Sequence, residues 1–338
     1  MARTTVSSVA ILLLVSTAVA APRGTGEDAA ARHKECLGFF SAKDDANFIK
    51  CFADSAIVDF VDSGQTKVQG AKEAVEKRAR PLWDGFPDVK LESQLIVVNG
   101  TNLASIDILS GTNSGPFMGG PTNKNVGLYM GHVLSLDSAK PVAKKVSAYM
   151  DYGTLLGQLG LSPAPHRPAL SVGWPEKVVA VSRGNATEKA NAATWKKGLA
   201  AWNKHDAARA LADYAADAVL HDLGAPVDTT GKAEIAKAMQ GYWKAFSDLK
   251  VSYSSVWAAA DWVVATGTAA GTNNSAAPEL GIAQKTGKKV KVNTLELVRF
   301  DGGKVKDQWI FYNGVAMAQQ LGLVPPPGAP APGAGKSK

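Results

Sequence analysis

The chain of 338 residues repeats itself at an interval of about 160 residues, and this repeat constrains its fold more than any other feature. Residues 82–90 read LWDGFPDVK and residues 242–250 read YWKAFSDLK, with Trp, Phe, Asp and Lys at matching positions. Two further matches follow in the same order: GTN at 111–113 and 271–273, and QLGL at 158–161 and 320–323. Three ordered matches at nearly one spacing predict two copies of a single domain.

Each copy has the same order of helical and strand patterns. Apolar residues spaced three and four apart predict three helices, and runs of β-branched and aromatic residues predict one early strand and four later strands. In the first copy we predict helices near 33–42, 45–53 and 71–85, and strands near 56–61, 90–98, 103–111, 125–136 and 143–150. In the second copy we predict helices near 195–202, 206–217 and 232–246, and strands near 219–222, 251–256, 262–268, 289–299 and 304–311.

These elements predict an α+β fold class. Because each element has one apolar face, the compact arrangement is a curved, mostly antiparallel sheet wrapped over three helices, with a conical cavity between them. We expect two tandem cone domains, at 30–161 and 189–324. Residues 162–188 contain four prolines and are predicted to form a linker, and the Pro/Gly/Ala-rich tail at 325–338 is predicted to be disordered.

The first twenty residues have the pattern of a cleaved signal peptide. Arg3 precedes an apolar run at 9–15, and Ala18-Val19-Ala20 fits a small-x-small cleavage site. The run is shorter than the roughly 20 residues that span a bilayer, so no stable membrane insertion is expected. An uncleaved N-terminal anchor is the alternative, whereas a lipid anchor is not expected because no cysteine follows the site. We predict a secreted or periplasmic protein.

Composition excludes several classes of function. A 46% apolar and 20% charged composition describes a soluble globular protein. The net charge is +7, but Lys and Arg are interleaved with Asp and Glu, without the basic stripe that nucleic-acid binding needs. The sequence has no Gly-rich phosphate loop before a helix, no GxSxG and no HExxH, and its five histidines are scattered. We expect no nucleic-acid partner, no metal and no cofactor.

The chain has two cysteines, Cys36 and Cys51, both in the first copy. They lie on two predicted consecutive helices, 15 positions apart. In an oxidising compartment this pair can form a disulfide that is worth about 3 kcal/mol for a loop of this length. Two buried free thiols are the alternative.

Four groups of residues carry a resemblance to a known family. They are GFPD at 85–88, GTNSGPF at 111–117, PT at 121–122, and Asp151 followed by LLGQLG at 155–160. In this order and spacing they resemble the SnoaL-like polyketide cyclases, a branch of the cone-shaped nuclear-transport-factor-2-like superfamily. The resemblance covers almost all of one copy and, more weakly, the other: residues 35–161 and 195–323.

The resemblance implies a reaction and a residue that performs it. Characterised members close a ring of a polyketide ester by an intramolecular aldol reaction, without metal or organic cofactor. An aspartate removes a proton from the carbon next to a carbonyl, and the matching position is Asp151, seven residues before Gln158. The second copy has Asn313 there, and an amide cannot act as a general base.

The residues around Asp151 are compatible with two roles. Asp151 follows VSAYM at 146–150, so it is expected to end a strand that lines an apolar pocket. Desolvation there raises the pKa of a carboxyl toward neutrality and makes it a useful base. Asp151 also directly precedes the helical pattern at 153–159, and aspartate is a preferred helix N-cap.

His132 is the second catalytic candidate. Alternation along its strand puts it on the same face as Met130 and Leu134, either in the cavity wall or in the packed core. His221 and Asp222 are neighbours on a strand, so they point to opposite faces and cannot form a dyad by adjacency. The residues predicted to contribute to ligand binding are Asp59, Trp83, Phe86, Tyr149, His221, Trp243 and Asn313.

These features leave two classes of function open. One is a cofactor-free cyclase, isomerase or hydrolase that acts on a small apolar carbonyl compound, with Asp151 as general base. The other is a non-catalytic protein, either a small-molecule-binding module or a scaffold whose two domains imitate a dimer. In both cases we expect a small apolar ligand and two domains packed on each other as a pseudo-dimer in a monomeric chain.

Overall fold

The structure is a computed structural model that describes residues 25–171 and 173–325. The predicted signal peptide at 1–20 lies outside the described residues, and so does nearly all of the predicted tail at 325–338. The described residues form two α+β domains, each with its own mixed sheet, as the sequence predicts. No helix within these two stretches is long and apolar enough to cross a bilayer.

The first domain begins with helices α1 (Thr25–Ala42) and α2 (Asp45–Phe48) and a 3-10 turn (Ile49–Cys51), which lead into strands β1 (Phe52–Phe60) and β2 (Val68–Gln69). One continuous helical segment then comprises α3 (Ala71–Ala74), a π-helical turn (Val75–Ala79) and α4 (Arg80–Gly85). The remaining elements are strands β3 (Lys90–Asn99), β4 (Asn102–Thr112), β5 (Asn125–Leu136) and β6 (Ala143–Met150), and helix α5 (Tyr152–Gln158).

The segment predicted as a linker contributes a strand to the first sheet. Strand β7 (Val178–Val181) pairs in parallel with β3 and completes the order β2-β1-β6-β5-β4-β3-β7. An open sheet edge presents unpaired backbone groups, and this short apolar run pairs with them. Residues 162–188 are therefore only partly a linker, because four of them belong to the sheet.

The second domain follows the same path. Its helices are α6 (Ala186–Trp202), α7 (Ala207–Ala210), α8 (Lys232–Ala245) and α9 (Gly314–Leu321). Its strands are β8 (Tyr214–Asp222), β9 (Thr229–Thr230), β10 (Lys250–Ala259), β11 (Trp262–Thr272), β12 (Lys289–Asp301) and β13 (Lys304–Phe311), in the order β10-β11-β12-β13-β8-β9. The helix predicted at 206–217 is only four residues long, because Tyr214 already pairs with Val305 in the parallel ladder of β8 and β13.

Strand pairing fixes which positions of the two domains match. Phe60 lies opposite Ala148 in the first sheet, and Asp222 lies opposite Ile310 in the second. Both sheets also carry a bulge in their first long antiparallel strand, at 93–95 and 253–255. A bulge bends its strand, so the matching bulges curve both sheets over their helices at the same place.

The third helical segment differs between the domains by one residue. It runs from the N-cap Gly70 to Trp83 in the first domain, and from the N-cap Gly231 to Trp243 in the second, where it is one residue shorter. The first domain accommodates the additional residue in its π-helical turn. Such turns are rare and often lie at functional sites.

The outer faces of the two sheets share one hydrophobic cluster, which contains Ile106 and Tyr149 from the first domain and Leu297 and Trp309 from the second. Hydrogen bonds surround it: Asn293 donates its backbone N–H (2.6 Å) and its Nδ2 (2.7 Å) to the Asp62 carboxylate. A separate hydrophobic cluster fills each domain between its helices and the inner face of its sheet.

Two matching positions of the domains meet in the contact between the sheets. Gly131 lies opposite Tyr149 on its sheet, as Leu295 lies opposite Phe311 on the other. A Cβ added at Gly131 would stand 2.6 Å from Cδ2 of Leu295. The leucine of one domain thus fills the space that the glycine of the other leaves.

Candidate functional site

The second domain contains a mainly apolar cavity of about 160 Å³. It lies between helices α6 and α8 and the inner face of the sheet, where the conical space was predicted. Its walls are mainly aromatic and aliphatic and include Trp195, Trp202, Met239, Phe246, Val292 and Ile310. A dry cavity of about 150 Å³ holds one benzene ring, so this space fits a molecule of about one ring.

A buried carboxyl lies in the wall of this cavity. Asp222 is the last residue of β8, and it accepts hydrogen bonds from the Tyr242 hydroxyl (2.7 Å) and the Gly224 backbone N–H (3.0 Å). The Tyr242 hydroxyl lies 3.3 Å from that of Tyr312. Burial raises the pKa of Asp222, although the hydrogen bond from Tyr242 opposes this effect. A carboxylate in such surroundings is a stronger base than one in water.

A second buried carboxyl, that of Glu296 on β12, lines the same cavity. Its two oxygens each lie 3.1 Å from the hydroxyl of Tyr253, and one accepts a hydrogen bond from Nε2 of Gln308 at 3.2 Å. The Tyr214 hydroxyl donates to Oε1 of Gln308 at 2.6 Å. Burial raises the pKa of Glu296 to about 7, so near neutral pH a large fraction of this group is protonated.

One polar group of the cavity has no partner. The hydroxyl of Thr294 is buried and makes no hydrogen bond to any described residue. Thr294 lies two positions before Glu296 on β12, so both side chains point to the inner face of the sheet. A buried hydroxyl without a partner is costly in an apolar wall, and a ligand oxygen is the kind of group that would satisfy it.

The first domain has a wider cavity of about 280 Å³ with different chemistry. Its lining includes the apolar side chains of Phe60, Phe117, Met130 and Met150, and none of its lining residues is an Asp or Glu. The charged group in its wall that is buried is Arg78. Phe60 here takes the place that Asp222 holds in the second domain.

Asp151 lies at the boundary between the domains and is not among the residues that line the cavity of its own domain. It caps α5 by accepting hydrogen bonds from the backbone N–H groups of Gly153 (3.3 Å) and Thr154 (2.6 Å). It also accepts a hydrogen bond from Gly314 N–H of the second domain at 3.4 Å. Burial raises the pKa of Asp151, and the bond from Thr154 opposes this effect.

His132 belongs to a buried polar cluster on the inner face of the first sheet. Its Nδ1 lies 2.6 Å from the carboxylate of Asp107, which also accepts a hydrogen bond from Ser105 at 2.6 Å. His33 of α1 completes the cluster, and burial lowers its pKa to about 4. Within the described residues no hydrogen bond joins His132 to Asp151.

His132 and Glu296 hold matching places on the two sheets. His132 lies between Ser105 and Ala148. Glu296 lies between the matching residues, Ala265 and Ile310. One scaffold position thus carries a histidine in one domain and a carboxyl in the other.

Three of the four Trp, Phe and Tyr residues predicted for ligand binding lie in the cores instead. Trp83 and Phe86 pack inside the first domain, and Trp243 packs against Trp202, with ring centres 5.1 Å apart, and against His205. None of the three predicted aromatics lines the cavity of its domain. They hold the helices on the sheet and shape the cavities indirectly.

Four further predicted residues lie between the domains or at the surface. Tyr149 belongs to the shared hydrophobic cluster, and His221 stacks on Trp309 with its Nδ1 2.8 Å from Asp228. Asp59 forms an ion pair with the exposed Lys67, which directly precedes β2. Asn313 caps α9 and donates a hydrogen bond to the backbone carbonyl of Asp62 at 2.9 Å.

Cys36 and Cys51 are joined by a disulfide in the structure, with their Cα atoms 5.9 Å apart. The bond ties α1 to the 3-10 turn before β1. It borders a small cavity of about 90 Å³ that His33 and His132 also line. The disulfide and the histidine cluster therefore occupy the same end of the first domain.

The sequence did not lead us to expect that Asp222 and Arg78 line the cavities. The signal for Asp222 was available, because a strand that turns His221 outward necessarily turns Asp222 inward. Arg78 gives no comparable signal. Its inward position depends on the π-helical turn, which the helical pattern of residues 71–85 does not reveal.

Comparison with known proteins agrees with this architecture. Residues 194–321 match the model of the SnoaL-like polyketide cyclase family. The second domain is therefore a SnoaL-like domain, and the first repeats its order of elements. No curated protein matches the chain.

Solved structures of single domains are also similar to parts of the chain. AclR from Streptomyces galilaeus is 27% identical, with 41% of this chain and 89% of AclR covered and a TM-score of 0.37. A SnoaL-like protein from Jannaschia sp. CCS1 is 14% identical, with 42% and 97% covered and a TM-score of 0.38. An NTF2-like protein from Burkholderia thailandensis E264 is 21% identical, with 39% and 96% covered and a TM-score of 0.34.

Proposed function

We propose that the second domain is a cofactor-free enzyme that moves a proton on a small carbonyl compound of about one ring, with Asp222 as the general base. The observation that carries this proposal is a mainly apolar, one-ring cavity whose wall holds two carboxyls of raised pKa. Apolar walls with a few convergent polar groups are typical of ligand sites. Perturbed carboxyls in such a place are typical of acid–base catalysis.

The proposed step begins with a carbonyl compound in the cavity. The Asp222 carboxylate takes a proton from the carbon next to the carbonyl, and the electron pair of that C–H bond forms a carbon–carbon double bond. The carbonyl oxygen becomes an enolate oxygen, to which protonated Glu296 and the Thr294 hydroxyl donate hydrogen bonds. In a substrate with a neighbouring carbon–carbon double bond, the enolate regains the proton from Asp222 at the far end of the conjugated system. In a substrate with a second carbonyl, the enolate carbon attacks that carbonyl and closes a ring, and the new alkoxide takes the proton from Asp222.

That Asp151 is the base remains a prediction. One experiment on proton exchange tests Asp151 and Asp222 against each other. One-ring β-diketones and β-keto esters are incubated with the protein in deuterium oxide, and loss of the proton next to the carbonyl is followed by NMR. We expect Asp222→Asn to slow this exchange by about 10²- to 10⁴-fold, the usual contribution of a general base. The matched variant Asp151→Asn is expected to exchange within about twofold of the unmodified protein, since Asp151 caps α5.

Two results would contradict this assignment. Loss of exchange in Asp151→Asn but not in Asp222→Asn would move the base to the first domain. Loss of exchange in neither variant would show that the protein's exchange activity uses another group. Thermal unfolding of both variants controls for damage to the fold.

A non-catalytic binding protein is the second candidate. It is favoured by the two hydrogen bonds that already engage the oxygens of Asp222, as in a carboxyl with a structural role. A binding protein would take up one-ring ketones, with unchanged affinity in Asp222→Asn, and would exchange no proton. Calorimetric titration beside the exchange assay separates the two candidates.

We also propose that the two domains pack as a pseudo-dimer and that the chain is monomeric. The support comes from Gly131 and Leu295, which hold matching positions in the two domains. The leucine of the second domain fills the space beside the glycine of the first, and this fit requires that the two different domains pack on each other. Gel filtration is expected to give the mass of one chain, 35.3 kDa before any processing. A mass near twice that value would contradict the proposal.

Finally, we propose that the protein is exported and works in a secreted or periplasmic state. The support is the signal-peptide pattern of residues 1–20 together with a disulfide between the two cysteines, which oxidising compartments permit. N-terminal sequencing of the protein from its own cell is expected to begin at Ala21 or Pro22. A cytoplasmic fraction that retains Met1 would contradict this proposal.

A further inference from the structure

The cavity of the first domain has a buried cation in its wall. Arg78 lies in the π-helical turn, is 8% exposed, and stands over the ring of Phe60, with its guanidinium carbon 5.4 Å from the ring centre. The matching residue of the second domain, five positions before the shared tryptophan, is Ala238, which lines the other cavity. The first domain thus has both the additional helical residue and the buried cation Arg78, and the matching helix of the second domain has neither.

The guanidinium of Arg78 contacts only neutral acceptors within the described residues. Its Nη1 donates to Oε1 of Gln65 at 2.5 Å and to the backbone carbonyl of Lys77 at 3.4 Å, and its Nη2 donates to the backbone carbonyl of Thr66. Guanidinium has five N–H groups, so two remain. One of them, on Nε, is buried and has no acceptor.

No carboxylate of the described residues pairs with Arg78. Glu73, whose pKa Arg78 helps to lower, is ion-paired with Lys77 instead. Buried charges in proteins are normally paired, because an isolated charge in an apolar environment is very costly. An unpaired guanidinium with an unsatisfied N–H in a 280 Å³ apolar cavity therefore indicates that the missing partner is an anion.

We propose that the first domain binds a small apolar carboxylate, with the carboxylate on Arg78 and the hydrocarbon part among Phe117, Met130 and Met150. Guanidinium binds carboxylates and phosphates alike. The apolar and methionine-rich wall favours an acid with a hydrocarbon body, since methionine adapts to ligands of irregular shape. The phenol of Tyr152, half-buried in the same wall, is a further donor for that carboxylate; desolvation raises its pKa to about 12, so it keeps its proton.

This carboxylate site lies in the first domain, so it does not depend on the reaction proposed for the second domain. The test is calorimetric titration of the full chain with benzoate, 3-phenylpropanoate and octanoate, each beside its neutral amide. At least one acid is expected to bind about tenfold or more tightly than its amide, because the amide cannot form the charge-assisted hydrogen bonds. Inorganic phosphate, which has no hydrocarbon body, is expected to bind far more weakly.

Two variants test the role of Arg78. Arg78→Met removes the charge and keeps an apolar side chain, so the preference for acid over amide is expected to disappear. Lys72→Met removes an exposed cation of the same helical segment and is expected to leave the preference unchanged. Arg78→Lys keeps the charge without the planar fork and is expected to bind the acids more weakly while keeping their preference over the amides.

Several outcomes would overturn the proposal. They are equal affinity for acids and amides, a preference that survives Arg78→Met, phosphate binding as tight as that of the acids, and no binding of any acid. Should Arg78→Met fail to fold, the acid-to-amide ratio of the unmodified chain and the Arg78→Lys variant still decide the question. None of these results depends on proton exchange, so they stand apart from the test of Asp222.

Discussion

The two domains place opposite charges at neighbouring positions of the same cone. The first has Arg78 beside Phe60, and the second has Ala238 and Asp222 at the matching places. Each cavity therefore has its own buried charge, in walls that are otherwise apolar. The order of strands and helices is the same in both domains, whereas these two positions carry a cation in one cavity and a carboxyl in the other.

The buried polar groups around the matching positions His132 and Glu296 also differ between the two domains. The second domain has Glu296 with Tyr253 and Gln308, and the first has His132 with Asp107 and His33. Burial raises the pKa of Glu296 and lowers that of His33, because it disfavours the charged form of each. The two domains should therefore respond to pH in opposite directions.

The largest expected effect is the loss of the disulfide, which only the first domain has. The double variant Cys36→Ser/Cys51→Ser is expected to cost the first domain about 3 kcal/mol, the usual value for a loop of this length. Hydrogen exchange followed by mass spectrometry reports each domain separately. Protection should fall in peptides of the first sheet and remain in those of β11 and β12. An equal loss in both domains would show that they unfold as one unit.

The next effect concerns Glu296. Between pH 4.5, the ordinary pKa of glutamate, and about 7, the folded protein keeps a proton that the unfolded chain has lost. Stability therefore falls as pH rises through this window, by about 3 kcal/mol in total. Glu296→Gln cannot ionise and is expected to be more stable than the unmodified protein at pH 8, with little difference at pH 4. Denaturant unfolding at the two pH values measures this, and an equal difference at both would contradict it.

His33 should show the reverse behaviour, with an effect of similar size, because burial lowers its pKa to about 4 even though Asp107 opposes the desolvation. Between pH 6.5 and about 4 the unfolded chain binds a proton that the folded protein does not, so stability falls as pH falls. His33→Gln keeps a side chain able to reach the Ser105 hydroxyl and is expected to flatten the acid side of the stability profile. A profile unchanged between pH 4 and 6.5 would mean that His33 does not titrate there.

The smallest effect is expected at the contact between the domains. Gly131→Ala introduces a methyl group close to Leu295, at a cost of about 1 to 2 kcal/mol if that side chain must move. Leu295→Ala removes the obstacle, so the two substitutions together should cost less than the sum of their separate effects. Thermal unfolding of both single variants and the double variant measures the coupling. Strict additivity would mean that these positions do not touch in solution.

The repeat carried most of the information about the fold. The matching order of helices and strands in both halves predicts two α+β domains, because a period of about 160 residues leaves each copy long enough for its own core. Strand β7 was not predicted, since a four-residue run in a proline-rich segment pairs only because an open sheet edge lies nearby. The short extent of α7 was missed for a similar reason, because strand pairing competes with helical propensity there.

The sequence located the candidate site less well. Family resemblance draws attention to the position of Asp151, but in the structure this carboxyl caps α5 and contacts the other domain. The inward direction of Asp222 follows from alternation along β8, whereas its apolar surroundings come from helices distant in sequence, such as α6 and α8. Burial is a property of the assembled fold, so pKa shifts and unpaired groups cannot be read from local pattern.

The most direct test of the base and proton donor proposed for the second domain is a pH titration of the carboxyl groups by ¹³C NMR. The variants Asp222→Asn and Glu296→Gln assign the two signals. We predict that Glu296 titrates near pH 7 and that Asp222 titrates above its ordinary pKa, since both are buried in the wall of a mainly apolar cavity. If both groups titrate at or below the values of exposed carboxyls, the cavity is wet, and the proposed base and proton donor of the second domain are wrong.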